Sequence, residues 1–310
     1  MSSMIQKFNN FVAKPYGVTI MALIYTFMFG CAFPLVKICI SEFGISSGDN
    51  IGKCLLAGVR FLLSGLVLML LCRKITVRKV RDFAYCFSYG IFGTSLKYAC
   101  TYIGLSVVSG SKGAILDQMG IFVIIIFGGL FFKGDKLTLK KIFGCLLGLI
   151  GIVAVGFDGL NFSFSFLGEG MIICAALFNA CEYFVAKRTA NKISPMQLVG
   201  IGQFSGGLIL CIYAICMGGS LEQFTIGGIV SLIALVLISS FAYVLSLIPL
   251  KYHPVSKVSI YNLLITVFGV VMSAAVLREN ILKIEYLIAI IFISMGICII
   301  NTPDKIFNND

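Results

Sequence analysis

The chain has 310 residues, 59% of them hydrophobic and 12% charged, with a mean hydropathy of +1.03 and a formal net charge of +11. A soluble domain carries about 25% charged residues, so the composition excludes a large soluble domain, a disordered chain, a coiled coil and a disulfide-rich secreted module. It suits a membrane bundle, because ten spans of about 20 residues need only about 200 and leave short loops.

The apolar stretches predict helices near 17–40, 51–71, 83–106, 111–132, 141–157, 168–188, 195–217, 227–250, 256–277 and 285–301. They are apolar all round, whereas the strands of a transmembrane barrel alternate apolar and polar residues. The first stretch is too long and too glycine-interrupted for a cleaved signal peptide, so residues 1–40 are expected to be retained. The 12 Cys are scattered singly through apolar runs with no CxxC pair, and read as small buried hydrophobes.

Loop charges set the expected orientation. With the N-terminus inside, inner segments hold 17 Lys and Arg and outer segments 4 (Lys53, Lys112, Arg278, Lys283), while Lys37, Arg60 and Lys97 fall within spans. This split favours both termini in the cytoplasm of a cell-membrane protein. It also absorbs most of the positive charge, so nucleic acid drops out as a partner.

A shift of 145 residues lays Ile103-x-Leu105 on Ile248-x-Leu250, Ser111-Lys112 on Ser256-Lys257, Asp117 on Asn262 and Gly151-Ile152 on Gly296-Ile297. One residue off that register, Gly134-Asp135-Lys136-Leu137 matches Arg278-Glu279-Asn280-Ile281. Five spans per repeat is an odd number, so the second copy would insert upside down. Inverted repeats are typical of secondary transporters, whose substrate sits near the midplane between the halves. The expected fold is therefore an all-α integral membrane protein of ten helices in two inverted five-helix repeats, 17–157 and 168–301. Residues 1–16 and 302–310 are expected as cytoplasmic flanks.

Several segments resemble the drug/metabolite transporter superfamily, EamA type. Phe29-Gly30-Cys31-Ala32-Phe33-Pro34-Leu35-Val36-Lys37 is similar to that family's first-helix segment, and Arg60-Phe61-Leu62-Leu63 to its second-helix Arg-Phe motif. Gly134-Asp135-Lys136-Leu137-Thr138 is similar to its Gly-Glu-Arg-Leu-Thr turn, and Gly144 to Gly151 to its glycine-rich fifth helix. Phe29 stands where the family usually has Trp, and Asp135 where it has Glu. The fourth helix carries Asp117-Gln118 where the family commonly has an apolar stretch and a Pro. The resemblance implies a ten-helix exporter of amino acids or related metabolites.

Ionisable side chains inside a bilayer cost about 2.5–3.5 kcal/mol on insertion scales and need partners or water. At 1.5 Å per residue, Arg60 and Lys97 lie about 14 Å deep, Asp117 about 9 Å, and Glu182 about 20 Å from the outer side. Lys97 and Asp117, on consecutive antiparallel helices, are expected to form an ion pair that either fixes register or opens for substrate or a proton. Glu182, one turn from Asn179, is read as a proton carrier or as an interfacial partner of Lys187 or Arg188. Lys37 is read as snorkelling to the outer interface or binding substrate, and Arg60 as bracing the fold or lining a cavity. Gln203 and Asn262 are read as interhelical hydrogen-bonding groups or substrate contacts. Tyr25, Phe33, Tyr98, Tyr102, Tyr183 and Tyr261 are packing residues or stacking surfaces. Gly144-x-x-x-Gly148 and Gly202-x-x-x-Gly206 permit close helix contact, within the bundle or in a homodimer.

There is no GxxxxGK[ST], no HExxH and no GxSxG, and the single His cannot build a multi-histidine metal site. No cofactor, metal or enzymatic activity is expected. The leading expectation is a secondary active transporter of a small organic solute, with protons as a candidate coupling ion. The three embedded cations against two carboxylates favour a carboxylate-bearing or zwitterionic solute. The alternatives are a proton-coupled exporter of cationic drugs, a non-transporting scaffold or receptor, and a lipid-modifying membrane enzyme.

Overall fold

The structure is a computed structural model that describes residues 11–72, 76–132, 138–158, 161–162, 164–278 and 284–301. The Gly134-Asp135-Lys136-Leu137 turn, its counterpart Glu279-Asn280-Ile281, the first ten residues and the tail 302–310 lie outside the described residues.

Helix α1 (Pro15–Glu42) starts with Pro15, whose missing N–H costs nothing in a first turn. It reverses at Gly44, whose φ of 69° is open chiefly to glycine. Helix α2 (Asn50–Leu71) is capped by Asp49, which accepts from Gly52 N at 2.8 Å. Helix α3 (Val80–Gly90) runs through a π-helical segment, Ile91–Leu96, into α4 (Lys97–Val107). Ser109 caps α5 (Gly110–Leu116), and a two-residue break at Asp117-Gln118 separates it from α6 (Met119–Phe131). Helix α7 (Leu139–Gly156) follows.

After a two-residue antiparallel ladder, Phe157–Asp158 with Asn161–Phe162, a π turn (Phe166–Gly170) leads into α8 (Met171–Thr189). Ser194 and Thr225 cap α9 (Pro195–Cys216) and α10 (Ile226–Leu247). Beyond the 3-10 turn Ile248–Lys251 come α11 (Val255–Ser259), a second 3-10 turn Ile260–Leu263, α12 (Leu264–Leu277) and α13 (Ile284–Asn301). Helical segments thus occupy the stretches that hydropathy marked out. Among the described residues, six are long and apolar enough to cross a membrane: Tyr16–Glu42, Asn50–Leu71, Gly110–Gly129, Phe166–Thr189, Pro195–Cys216 and Ile226–Lys251.

Small residues set the packing. Helix α2 lies on α9 where a Cβ on Gly58 would meet Cys211 N at 2.8 Å and one on Gly207 would meet Leu62 N at 2.4 Å. Helix α7 pairs with α13, and a Cβ on Gly296 would meet the Gly144 carbonyl at 2.5 Å. Both glycine motifs are engaged inside the bundle: Gly148 faces the Phe122 ring, and Gly202 and Gly206 face Tyr89 and Gly90. Helix α1 packs on α10 and α12, and α8 on α4 and α6. On the outside, Ile229, Ile233 and Leu237 of α10 and Ile20, Leu23, Ile24 and Phe27 of α1 stand exposed. Such apolar stripes are at home against lipid, where each helix satisfies its own backbone.

Candidate functional site

A partly open cavity lies between the helices, with about 630 Å³ of empty space that includes its solvent-open mouth. Helix α1 supplies Phe29, Ala32, Phe33 and Val36, and α2 supplies Arg60. Helix α4 supplies Lys97, Tyr98, Thr101 and Leu105; α8 supplies Asn179 and Tyr183; and α10 supplies Tyr243. Asp117 enters from the α5–α6 break, Asn262 from the 3-10 turn before α12, and Ile265 from α12 itself.

The break at Asp117 changes the local hydrogen bonding. Gln118 N turns to Ile115 O at 3.2 Å, which releases the Ala114 carbonyl. That carbonyl instead accepts from the Gln118 side-chain amide at 3.1 Å and from Thr266 Oγ1 at 3.5 Å. Interrupted helices are tolerated at membrane depth where the freed backbone groups find such partners or line a cavity.

Lys97 stands just after the π segment. Such bulges often occur at functional sites, and here Gly93 makes room for a neighbour: a Cβ there would meet the Glu182 carboxyl carbon at 2.4 Å. The Lys97 Nζ donates to Asn179 Oδ1 at 2.7 Å, Tyr243 Oη at 2.9 Å and Glu182 Oε2 at 3.2 Å. A lysine ammonium has three donors, so its capacity is fully used. The expected Lys97–Asp117 ion pair is therefore corrected to Lys97–Glu182. Depth places Lys97 and Asp117 alike, but rotation about the helix axes turns Lys97 toward α8. Lys187, considered as a partner for Glu182, instead donates to the carbonyls of Leu250 and His253 at 2.7 and 2.6 Å.

Arg60 is 1% exposed. Its Nε donates to Ser239 Oγ at 2.8 Å and one terminal nitrogen to Tyr102 Oη at 3.3 Å. The guanidinium carbon lies 4.7 Å from the Phe61 ring centre and 5.5 Å from that of Tyr98, a cation–π arrangement. Among the described residues, neither Arg60 nor Asp117 makes an ion pair. Asn262 Nδ2 donates to Tyr183 Oη at 2.7 Å, while its buried Oδ1 has no partner.

The two other candidates lie off the cavity. Lys37 Nζ donates to Val108 O at 2.8 Å, tying α1 to the end of α4. Gln203 Oε1 accepts from Ser64 Oγ at 2.5 Å and its Nε2 donates to the Ser239 carbonyl at 3.1 Å, so it joins α2, α9 and α10. Through Ser239 it sits behind Arg60. No group of three or more His, Cys, Asp or Glu that could hold a metal is found among the described residues.

A sequence model described as the EamA-like transporter family matches the chain twice, over residues 17–157 and 166–302. The chain belongs to the EamA-like transporter family. It is similar to the uncharacterized transporter YvbV of Bacillus subtilis (strain 168), at 23% identity over 81% of this chain and 83% of that protein. An uncharacterized transporter of Haemophilus influenzae shares 25% identity over 61% of this chain and 65% of its own length. A solved crystal structure superimposes with a TM-score of 0.70 at 15% identity, covering 93% of this chain and 99% of that one, which bears on the fold alone.

This EamA-like transporter is a multi-pass membrane protein whose partners are the lipid bilayer and a small solute. Of its sequence-derived candidates, Arg60, Lys97, Asp117, Asn179 and Asn262 share the cavity, and Glu182 stands behind Lys97. Sequence reading missed Tyr243 and the Tyr98 Oη–Tyr243 Oη contact of 2.5 Å. The signal was present, since the shift of 145 that lays Asp117 on Asn262 also lays Tyr98 on Tyr243.

Proposed function

We propose that this protein is a secondary active transporter that moves an amino acid or related metabolite outward across the cytoplasmic membrane by alternating access. In this reading ten helices form two inverted five-helix repeats, 17–157 and 168–301, with residues 1–16 and 302–310 on the cytoplasmic side. The observation that carries it is a cavity lined from both family-matched halves and holding charged side chains.

The helix contacts support the repeat. Exchange the two halves and α1 on α10 becomes α8 on α3–α4, while α1 on α12 becomes α8 on α5–α6. The pairs α2 with α9, α5 with α12 and α7 with α13 map onto themselves, and each of these contacts is present. The helix interruptions at Asp117 and around Asn262 also fall at matching places, as they do at the substrate sites of many secondary transporters.

Counterflow in proteoliposomes tests the reading, with a panel of amino acids, organic acids and quaternary amines. Exchange of an amino acid supports it, and no exchange with any member of the panel rejects it. If Glu182 carries coupling protons, Glu182→Gln removes the pH dependence of flux, whereas an unchanged profile excludes that role.

A second reading, export of cationic drugs, is favoured by one observation. Asp117 makes no ion pair among the described residues, and the rings of Phe29, Phe33, Tyr98, Tyr183 and Tyr243 line the same cavity, a setting that suits organic cations. Flux of quaternary amines without amino acids in the same panel would select it.

A further inference from the structure

The two ends of the bundle treat their cations differently. At one end Lys112 pairs with Glu169, Lys53 donates to Asn50 Oδ1 at 3.1 Å, and Lys37 donates to the Val108 carbonyl. At the other end Arg78, Lys79, Arg81, Arg188 and Lys192 are exposed, and none of them makes an ion pair among the described residues. Residues 76–90 and 187–195 hold a single acid, Asp82, whose carboxylate accepts from the Lys79 backbone N–H at 3.3 Å.

Two loops from different halves are locked together there. Gln197 Oε1 accepts from Thr76 N and Thr76 Oγ1, both at 2.5 Å, and from Val77 N at 3.1 Å. Thr76 Oγ1 in turn accepts from Ser194 N at 3.0 Å. Arg188 Nε donates to Tyr85 Oη at 3.3 Å, and the charges of Arg81 and Lys192 also act on that hydroxyl. The cations thus stand on a joined platform.

An apolar stripe runs beside them. Val80, Phe83, Ala84 and Phe87 fall at i, i+3, i+4 and i+7, which is one face of α3, and all four are exposed. Arg81 and Tyr85, one turn apart, flank that stripe, while Cys86 and Tyr89 are buried where α3 packs on α8 and α9. Water is a poor neighbour for the two phenyl rings, and hydrocarbon a poor one for cations without a carboxylate. The headgroup boundary of a bilayer accommodates both, as it does for basic amphipathic helices lying in that plane.

We propose that this platform is a binding site for an anionic phospholipid, its phosphate held by Arg81, Arg188 and Lys192 and its acyl chains lying against Val80, Phe83 and Phe87. A headgroup bound there bridges the two family-matched halves. In the orientation proposed above, the site faces the cytoplasmic leaflet, whose anionic lipids attract basic segments. It shares no residue with the cavity lining and does not depend on what the cavity carries.

The sequence contains no Trp, so Phe83→Trp places a single fluorophore on the stripe. The full-length variant is reconstituted in phosphatidylcholine nanodiscs with a minor fraction of phosphatidylglycerol. Brominated chains, which quench Trp on contact, are carried either by the phosphatidylglycerol or by an equal fraction of the phosphatidylcholine. Phosphatidylglycerol should associate about 5-fold more strongly, the factor for one cation near the headgroup plane. Combining Arg81→Gln, Arg188→Gln and Lys192→Gln should make the two lipids equal, whereas Lys251→Gln, in another loop at the same end, should leave the preference unchanged. Raising the salt to about 1 M, where the Debye length is about 3 Å, should also lower it.

Equal quenching by the two lipids, or a preference that survives the triple variant, overturns the assignment. Loss of the preference on adding inorganic phosphate at constant ionic strength would give the cluster to a free anion, and overturns it as well. If the triple variant fails to insert, the lipid comparison in Phe83→Trp, repeated in Phe87→Trp, decides by itself.

Discussion

The two family-matched halves meet at the cavity, and their matching positions there do not carry the same chemistry. Tyr98 and Tyr243 are the same residue at the same place, and their hydroxyls touch at 2.5 Å. Asp117 and Asn262 occupy the same place in two interrupted helices, yet one is a carboxylate and the other its amide. Lys97 corresponds to Ala242. The first half thus contributes Arg60, Lys97 and Asp117 to the lining, while the second contributes Asn179, Tyr183, Tyr243 and Asn262, with Glu182 behind them. A repeat supplies a frame with matched helix breaks and a shared hydroxyl contact. Divergence between the copies supplies the charge separation that a polar solute would meet.

The largest expected effect breaks the ion pair that joins the halves. Lys97→Ala leaves Glu182 buried without a counter-charge, and should destabilise the purified protein by about 3–5 kcal/mol. Glu182→Ala in the same background should recover part of that loss. Additive effects in thermal unfolding would argue that the two side chains do not depend on each other.

Next comes the position where the halves differ by a single charge. Asp117→Asn makes it identical to Asn262, and removes the carboxylate that the first half places on the cavity. Counterflow should weaken about 10- to 100-fold while insertion and yield stay normal; full activity would show that the difference between the halves is incidental.

A smaller effect probes the frame. At the α2–α9 crossing, a Cβ on Gly65 would meet Phe204 N at 2.3 Å, whereas one on Gly200 would meet nothing nearer than the Leu68 Cβ, at 3.2 Å. Gly65→Ala should therefore cost about 1–3 kcal/mol and Gly200→Ala well under half of that, as read from unfolding midpoints. Equal costs would mean that the crossing is more symmetric than its contacts.

The smallest effect is expected at the bundle end. The Lys112–Glu169 pair, at 2.5 Å, also holds Ser165 N on the same carboxylate at 2.8 Å. Glu169 is 6% exposed; Glu169→Gln keeps an acceptor for Ser165 N and loses the charge, so it should cost about 1 kcal/mol and leave counterflow unchanged.

The residues of the site were largely legible, but their partners were not. Asn179 and Glu182, one turn apart on α8, do converge on one atom, the Lys97 Nζ. The spacing of the two residues carried that information. Asp117 was legible as an exception to an apolar helix, but the interruption it causes was not. That interruption shows only where Gln118 N abandons Ala114 O for Ile115 O. Lys37 and Gln203 looked as promising as the others by residue type, and they serve as ties between helices. A polar side chain in a span must be satisfied somewhere, and the sequence gives no direction for it.

What the sequence determined by itself is where the apolar stretches lie, which the helical segments occupy, and which two stretches match the family. These follow from one-dimensional quantities: a rise of about 1.5 Å per residue and a bilayer about 30 Å thick. What only the tertiary structure decided is rotation about each helix axis. Successive residues on a helix are about 100° apart, so depth says little about the face on which a charge emerges. Estimated depths of about 14 Å for Lys97, about 9 Å for Asp117 and about 20 Å for Glu182 gave no reason to prefer one carboxylate over the other. The packing of α4 against α8, with a π turn and Gly93 between, brings their charges to 3.2 Å and leaves Arg60 and Asp117 as the charged side chains of the cavity without an ion pair among the described residues.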